Sequence, residues 1–434
     1  LKVYAVSLGC PKNRTDTEKL LARLAELGAE PVLSPEEADL LLVNTCAFIR
    51  PAVRESIDTV LELAEGKRPG QRLAVVGCLV ARYREKVREA LPEADILCGI
   101  EAFRQPEVFL EDSRPLVLKP RGPETIERVL TESPFYAYLK VTEGCRHACS
   151  FCSIPRIRGP LRSRPEKDIL AEARRLVSQG VREIVLVGQD VSAYGLDRKE
   201  RALPRLIKRL LSEVPGSFRL RLLYLYPEGI TPELLELFAE ESRLAPYADL
   251  PVQHAHPEIL KRMRRPYRSE EILELIRRFR KARPGIGLRT SVIVGFPGEG
   301  EEEFVTLLRF LSRARFDHLG AFVFYPEEGT PAARFKPRVP YREAARRRHR
   351  VMALQREISR ENLQRRVGSE DVVLVTGYDA RGRPVGHAGF QAPEVDGHTV
   401  VVKGIPVEPG DLVRVRFIRA FTYDLWAEAL ERLD

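Results

Sequence analysis

The sequence predicts an α/β protein built in three successive parts: a small parallel-sheet α/β domain, a full or partial barrel of six β/α units, and a small C-terminal β-barrel. Three observations predict it. Residues 1–90 alternate strand and helix patterns in the order β-α-β-α-β. A second alternating series begins near Tyr136 and carries six strand patterns with helical patterns between them. After about residue 370 the segments become short, rich in Val and Thr, and separated by Gly and Pro. A chain of 434 residues, 44% of them hydrophobic, also holds more than one core normally does.

In the first part the strands are expected over 3–7, 40–44 and 73–76, with amphipathic helices over 16–27, 53–64 and 81–90. Residues 106–123 are rich in proline and charge and read as a linker. The barrel strands are expected over 138–142, 183–188, 219–224, 249–253, 287–294 and 318–324, with helices such as 166–178 and 301–312 between them. Residues 341–366 read as one long basic helix. Strands over 372–376, 385–388, 398–402, 412–418 and 423–429 make the last barrel. The expected domains are 1–125, 131–366 and 367–434, with no internal repeat and no low-complexity segment.

Charged residues make up 31% of the chain and are spread along it. No apolar run reaches the length of a membrane span, and the opening residues are too short and unpunctuated for a signal peptide. A cytoplasmic monomer is expected. The net charge of +9 hints at an anionic partner. A composition rich in Arg, Glu, Leu and Pro also suits a heat-adapted or GC-rich source, which supplies a plainer cause. Seven cysteines, an odd number in a long chain of this kind, argue for metal or redox chemistry over a disulfide framework.

Cys145, Cys149 and Cys152 form a C-x3-C-x2-C cluster directly after the first strand of the barrel series. Thiolates ligate iron–sulfur clusters, and cubanes usually take four. Three close cysteines leave one iron without a protein ligand, and an open coordination position is where a metal centre works on a substrate. The alternative is a zinc site with a distant fourth ligand. Cys10, Cys46 and Cys78 carry a separate inference. Each sits just past the end of an expected strand, and in a parallel sheet all strand C-termini lie along one edge, where ligands bind. Three thiols more than thirty positions apart are thereby expected to meet; the plainer alternative is three unrelated buried thiols. Cys98 has no such partners and reads as structural. His147, inside the cysteine loop, reads as loop-ordering or solvated.

The C-x3-C-x2-C loop, with Phe151 before its last cysteine and six β/α units behind it, resembles the radical S-adenosylmethionine enzymes. The resemblance implies that the open iron chelates the amino and carboxylate groups of S-adenosylmethionine. The reduced cluster then passes one electron to the sulfonium, releasing a 5′-deoxyadenosyl radical. The cofactor carries the hard chemistry and the protein positions it. Two three-cysteine sets, an N-terminal α/β domain and a small terminal barrel together resemble the methylthiotransferases over essentially the whole chain, with that barrel as the TRAM domain. The resemblance implies two [4Fe–4S] clusters, an auxiliary one handling the inserted sulfur, with one S-adenosylmethionine as methyl donor and another as radical source. It also implies an electron donor such as flavodoxin or ferredoxin.

Ser7 to Asn13, Ile154 to Gly159, Gly389 to Gly397 and Tyr423 to Glu428 resemble the branch acting on a ribosomal protein, the RimO type. The transfer-RNA branch typically has Gln-Met-Asn after its first cysteine, where this chain has Pro11, Lys12 and Asn13. The resemblance implies as substrate the β-carbon of an aspartate in protein twelve of the small ribosomal subunit. Charge points the same way. Residues 367–434 hold seven Lys or Arg and eleven Asp or Glu, a net −4, which leaves +13 on the rest of the chain. An RNA-gripping barrel should be basic, and an acidic one suits a basic protein, although a purely stabilising barrel has the same signature.

Gly188, Gln189 and Asp190 follow the second barrel strand and match the family's position for holding the methionine amino group; the plain reading is a βα turn. Gln253 and His254 follow the fourth strand and are expected to face the same mouth, while His256 shapes the loop. Arg289 and Ser291 lie on the fifth strand near Gly295 to Glu299, a region of cofactor contacts in the family, where glycines admit a close approach. Glu299 reads equally as the first-turn acid of the next helix. Tyr325 to Pro331 resembles a family signature without an assignable role. Arg346 to Arg350 reads as a solvated face or a contact to ribosomal RNA. No side chain is expected to act as an acid or base beyond the cluster ligands. The rivals are a transfer-RNA methylthiotransferase with the same chemistry and a non-catalytic RNA-binding protein with structural zinc.

Overall fold

The computed structural model describes residues 1–111, 116–119, 122 and 124–433. The chain forms two compact units. One comprises residues 1–132, 138–147 and 152–175, and the other residues 133–137, 148–151 and 176–434.

The first unit is built on β1 (Lys2–Ser7), α1 (Pro11–Glu26), β2 (Glu30–Val32), β3 (Leu40–Thr45), α2 (Arg50–Glu65), β4 (Arg72–Gly77), α3 (Cys78–Tyr83), α4 (Glu85–Ala90), β5 (Ile96–Cys98) and β6 (Leu116–Val117). The strands form one parallel sheet in the order β2-β1-β3-β4-β5-β6. The sequence pattern reveals its three central strands. The short strands β2, β5 and β6 have two or three residues each, too few to show a period. β3 and β4 are buried on both faces, as strands covered by helices on either side must be.

The expected linker is in part a correction. Residues 112–115, 120, 121 and 123 lie outside the described residues. Of the rest, Val108 and Phe109 enter the core beside Val3, Leu20 and Ile96, and Leu116–Val117 pairs with β5. α1 begins five residues before the expected start because Pro11, the apparent breaker, occupies its first turn, where a missing N–H costs nothing. The helix expected over 81–90 is two helices, broken at Arg84 with φ 54°.

After β7 (Tyr136–Lys140) the chain passes through the antiparallel pair β8 (Thr142–Glu143) and β9 (Arg162–Ser163), which enclose the cysteine loop and α5 (Ile154–Arg158). α6 (Glu166–Ser178) follows. The second unit continues with β10 (Glu183–Val187), α7 (Leu203–Glu213), β11 (Arg219–Leu222), α8 (Pro232–Glu240), β12 (Leu244–Asp249), α9 (Pro257–Met263) and α10 (Ser269–Ala282). It completes the series with β13 (Gly287–Val294), α11 (Glu301–Ala314), β14 (His318–Val323) and α12 (Tyr341–Gln364).

The sheet order is β14-β13-β12-β11-β10-β7, with β14 and β7 at its two edges, so the six units make a partial barrel. β12 ends where the sequence pattern expected it to begin. Pro246 inside it cannot donate to a ladder and hides the strand, and the β11–β12 register shifts at this point. α12 buries Val351, Ile358 and Leu363 and packs on β14.

The last five strands are β15 (Glu370–Tyr378), β16 (Pro384–Ala388), β17 (Thr399–Gly404), β18 (Leu412–Ala420) and β19 (Leu425–Leu433). They close into a barrel in the order β15-β16-β17-β19-β18. Alternation fills it with Val373, Val375, Val413, Val415 and Ala427. Among the described residues no helix is long and apolar enough to cross a membrane.

Candidate metal and cofactor sites

In the first unit Cys10, Cys46 and Cys78 stand at the C-terminal ends of β1, β3 and β4, on one edge of the sheet. Cys10 is the residue before α1, Cys46 follows β3 directly, and Cys78 opens α3. Their charges act on one another. Burial, reinforced by the neighbouring Cys78 and Cys10, pushes the Cys46 thiol up to about 12. Burial also raises Cys78, against the opposing pull of Arg158. For Cys10 burial again opposes ionisation, but Lys12, Arg158 and two backbone N–H groups outweigh it and bring the thiol below its ordinary value. Among the described residues no three Cys, His, Asp or Glu side chains converge as ligands of one ion do. A cubane takes each thiolate on a different iron and needs no such point.

The backbone is shaped for this meeting. Gly9 has φ 91°, and a Cβ on it would stand 2.6 Å from the Cys46 Cβ and 2.8 Å from its Sγ. Asn13 ties the three strand ends together. Its Nδ2 donates to the carbonyls of Leu8 at 2.9 Å and Thr45 at 3.0 Å, and its Oδ1 accepts from Cys78 Sγ at 3.6 Å. Ser56 holds Cys46 by its own backbone, accepting the N–H at 3.0 Å and donating to the carbonyl at 2.8 Å. A residue that pattern reasoning passed over also lies here. Arg158, fully buried at the end of α5, donates from Nη2 to Cys78 Sγ at 3.5 Å and to Asn13 Oδ1 at 2.5 Å. It lies within Ile154 to Gly159, a stretch legible only as a resemblance. Cys98 lies on β5 in the apolar core, its thiol pushed up to about 12 by burial alone.

The cysteine loop has residues 145–147 and 152 in the first unit and 148–151 in the second. In the first, the backbone N–H of His147 donates to Cys145 Sγ at 3.4 Å. Gly144, at φ 72°, allows a turn in which a Cβ would meet the Pro160 carbonyl at 2.1 Å. In the second unit Ser150 anchors the loop, donating from N to Met263 O at 3.1 Å and from Oγ to Arg262 O at 2.7 Å. Phe151 packs on Ile259, Met263 and Phe296. Cys149 Sγ accepts from Arg265 Nη1 at 3.6 Å. Arg265 lies 4.4 Å from the Tyr226 ring centroid and donates to Tyr267 OH at 2.8 Å. A thiolate facing a fixed cation suits metal ligation.

The strand ends of the second unit hold most of the other expected residues. Gly188, Gln189 and Asp190 follow β10. Both amide atoms of Gln189 are buried without a partner among the described residues, which a bound polar ligand would satisfy. Asp190 accepts from Ser192 Oγ at 2.5 Å, which ties its loop to Tyr226. Gln253 has φ 66°, and its backbone bridges to β13 through Ser291 O and Ile293 N at 2.8 Å each. Half-buried Ser291 lies beside Gly320 in register. His254 accepts on Nδ1 from the His256 N–H at 3.0 Å and faces Glu299 with Nε2 at 3.3 Å. Glu299 also holds Gly295 N at 2.9 Å and Arg347 Nη1 at 2.7 Å, so it fastens the Gly295–Glu299 loop more than it opens α11.

Arg289 goes elsewhere. It lies near the start of β13, and its guanidinium binds Asp396 Oδ1 at 2.6 Å and Val395 O at 3.2 Å, in the segment of the small barrel between β16 and β17. The expectation that it lines the cofactor mouth fails on this geometry: it is spent at the opposite end of its strand. The thiol sets and the unsatisfied Gln189 fit iron–sulfur clusters and a polar cofactor.

Three family models match the chain: the Radical SAM superfamily over residues 139–311, Uncharacterized protein family UPF0004 over 2–99, and the TRAM domain over 367–430. Among curated proteins, the ribosomal protein uS12 methylthiotransferase RimO of Nitratidesulfovibrio vulgaris strain Hildenborough is 46% identical, covering 99% of this chain and 100% of its own. That of Geobacter sulfurreducens is 42% identical over 99% and 98%. Among solved structures, the radical S-adenosylmethionine methyltransferase TsrM from Kitasatospora setae, with cobalamin and a [4Fe-4S] cluster bound, shares the fold at TM-score 0.55. Its identity is 15%, over 76% of each chain. The chain belongs to the ribosomal protein uS12 methylthiotransferase family of radical S-adenosylmethionine enzymes.

Proposed function

We propose that this protein attaches a methylthio group to the β-carbon of an aspartate in ribosomal protein uS12, with S-adenosylmethionine as both methyl donor and radical source. The observation that carries the reading is the presence of two three-cysteine sets in one chain: a C-x3-C-x2-C loop, and three strand-end thiols gathered on one sheet edge. Cys145, Cys149 and Cys152 would hold the radical-generating [4Fe–4S] cluster, and Cys10, Cys46 and Cys78 the auxiliary one. When bound, the clusters and S-adenosylmethionine supply the electron, the radical and the transferred group.

The chain's own residues bind and orient. Ser150 and Phe151 fix residues 148–151 of the cysteine loop within the second unit. Arg265 holds a cation against Cys149. Gly188, Gln189 and Asp190 offer a polar cradle for the methionine end, and Gln253 and Ser291 extend the same mouth. Arg289 is left out of this set. Residues 1–125, 131–366 and 367–434 serve as the sulfur-handling, radical and TRAM domains. The protein works in the cytoplasm as a monomer and draws its electron from a flavodoxin or ferredoxin. Mass spectrometry of uS12 and of digested transfer RNA from a deletion strain tests the substrate. The aspartate of uS12 should lose its methylthio group, and loss from a transfer-RNA adenosine alone would sink the reading.

A further inference from the structure

Arg158 is a full positive charge buried where a merely structural network does not need it. Four charged side chains meet at this point in the first unit. Lys140 pairs with Asp16, and with Glu143 at 2.8 Å; Arg158 Nη1 lies 2.9 Å from Glu143 Oε1 and 3.3 Å from Asp16 Oδ2. Two cations thus face two carboxylates, all buried. Lys140 alone already touches both acids, so Nη1 duplicates an existing contact. Nη2, which also lies 3.3 Å from Asp16 Oδ2, does something Lys140 does not: it reaches Asn13 Oδ1 and Cys78 Sγ. A planar fork divides its donors between partners in this way, whereas an ammonium concentrates them at a point.

We propose that Arg158 sets the reduction potential of the auxiliary cluster by holding a buried donor and positive charge against the Cys78 sulfur. The proposal rests on the reading of Cys10, Cys46 and Cys78 as ligands. Cluster potentials respond to net charge, exposure and hydrogen bonds to the sulfurs. Reduction adds one negative charge to the cluster, so a nearby fixed cation favours the reduced form and raises the potential. With Arg158 the four-residue network is neutral; without it the network carries one negative charge beside the sulfur and opposes reduction. Asn13 strengthens the arrangement. Once Cys78 is a thiolate it no longer donates to Oδ1, and Arg158 then supplies donors to both atoms.

The test uses the full-length chain with C145A, C149A and C152A, so that only the auxiliary cluster assembles. The midpoint is read by electron paramagnetic resonance during stepwise reduction with dithionite. At the potential where this parent is half reduced, Arg158→Met should lower the reduced-to-oxidised ratio at least tenfold, a fall of about 59 mV for one electron. Arg158→Lys should recover part of it. Equal midpoints in all three proteins, each with about four irons, would overturn the proposal while leaving the cluster in place. A parent that takes up no iron would overturn the ligand reading itself. If Arg158→Met loses its iron, Arg158→Met with Asp16→Asn is compared with Asp16→Asn alone. The same fall is expected, and equal midpoints count against Arg158.

Discussion

Single atoms decide the two sites at the residue scale. Gly9 lets the end of β1 pass within contact of Cys46, and its φ of 91° adds a backbone requirement to a steric one. Gly9→Ala should push Cys10 and Cys46 apart. Iron per chain should fall from about eight to about four while Cys145, Cys149 and Cys152 keep theirs. Retention of all eight would show that the strand end tolerates the extra carbon. Gln189 poses the opposite case. Its amide is buried and unpartnered among the described residues, a situation that costs about 1–3 kcal/mol in an empty site and is repaid when a ligand supplies the missing bonds. Gln189→Leu should therefore raise the melting temperature of the ligand-free protein and weaken S-adenosylmethionine binding tenfold or more by calorimetry. A variant that lost stability and kept its affinity would place Gln189 in the fold and not in the site.

At the scale of elements, what was legible followed from period and length. β13 shows an eight-residue alternation and its expected bounds are its observed ones. β5 and β6 are too short to show any. Pro246 hides β12, and Pro11 disguises the start of α1. The strand-end rule found Cys10, Cys46 and Cys78 because it depends on topology and not on spacing. Nothing comparable could find Arg158, whose partners Asn13, Asp16 and Cys78 are 145, 142 and 80 residues away. The polar side of α1 is a further case. An amphipathic helix at a surface should leave it in water, yet Asp16, Glu18 and Lys19 are all buried, each paired with charges from beyond residue 120.

This burial makes α1 acid-sensitive. Arg164, Lys19 and Lys140 overcome the burial cost at Glu124 and hold its carboxyl down to about 2, against 4.5 for the ordinary group. A depressed pKa contributes stability that is complete above pH 4.5 and lost as the pH falls towards 2. For Glu124 that amounts to about 3 kcal/mol. Glu124→Gln should be less stable at neutral pH and show a flatter denaturant midpoint between pH 4.5 and 2. A slope equal to that of the wild type would assign the acid loss to other carboxylates. The break between α3 and α4 offers a gain. Arg84 sits at φ 54° and ψ −125°, a region that favours glycine, so Arg84→Gly should stabilise by about 1 kcal/mol.

At the scale of the whole molecule, the second unit separates its two ends by function. The residues that would serve the cofactor lie at strand C-termini. Positions within the strands, before those ends, are spent on the small barrel: Arg221 on β11 donates to Gly389 O at 2.8 Å, His318 Nε2 at the start of β14 to Phe390 O at 2.9 Å, and Tyr247 OH on β12 to Asp396 at 2.8 Å. This gives the stretch Gly389 to Gly397 a physical role: it fastens one barrel onto the other. It also changes what the net −4 of that barrel means. Asp396 and Glu394 are spent on Arg289 and Tyr136, while Arg383 and Arg419 flank Trp426 at 5.1 and 5.4 Å from its ring. The barrel's net charge therefore does not describe the surface a partner meets. Asp396 concentrates the fastening, since Arg289, Tyr247 and the Ala392 N–H all end on its carboxylate. Asp396→Ala leaves the half-buried Arg289 facing the Val395 carbonyl and Asp249 at 3.9 Å; breaking a fully buried pair costs about 3–5 kcal/mol, and this half-buried one should cost less. Heat unfolding should then separate into two transitions, the earlier one belonging to residues 367–433. S-adenosylmethionine cleavage measured below that transition should persist, because the cofactor residues lie beyond the strand C-termini and not among the residues that bind the small barrel. A single transition at the wild-type temperature would mean that the interlock contributes no stability, and loss of cleavage in the folded variant would mean that the two ends of the strands do not act separately.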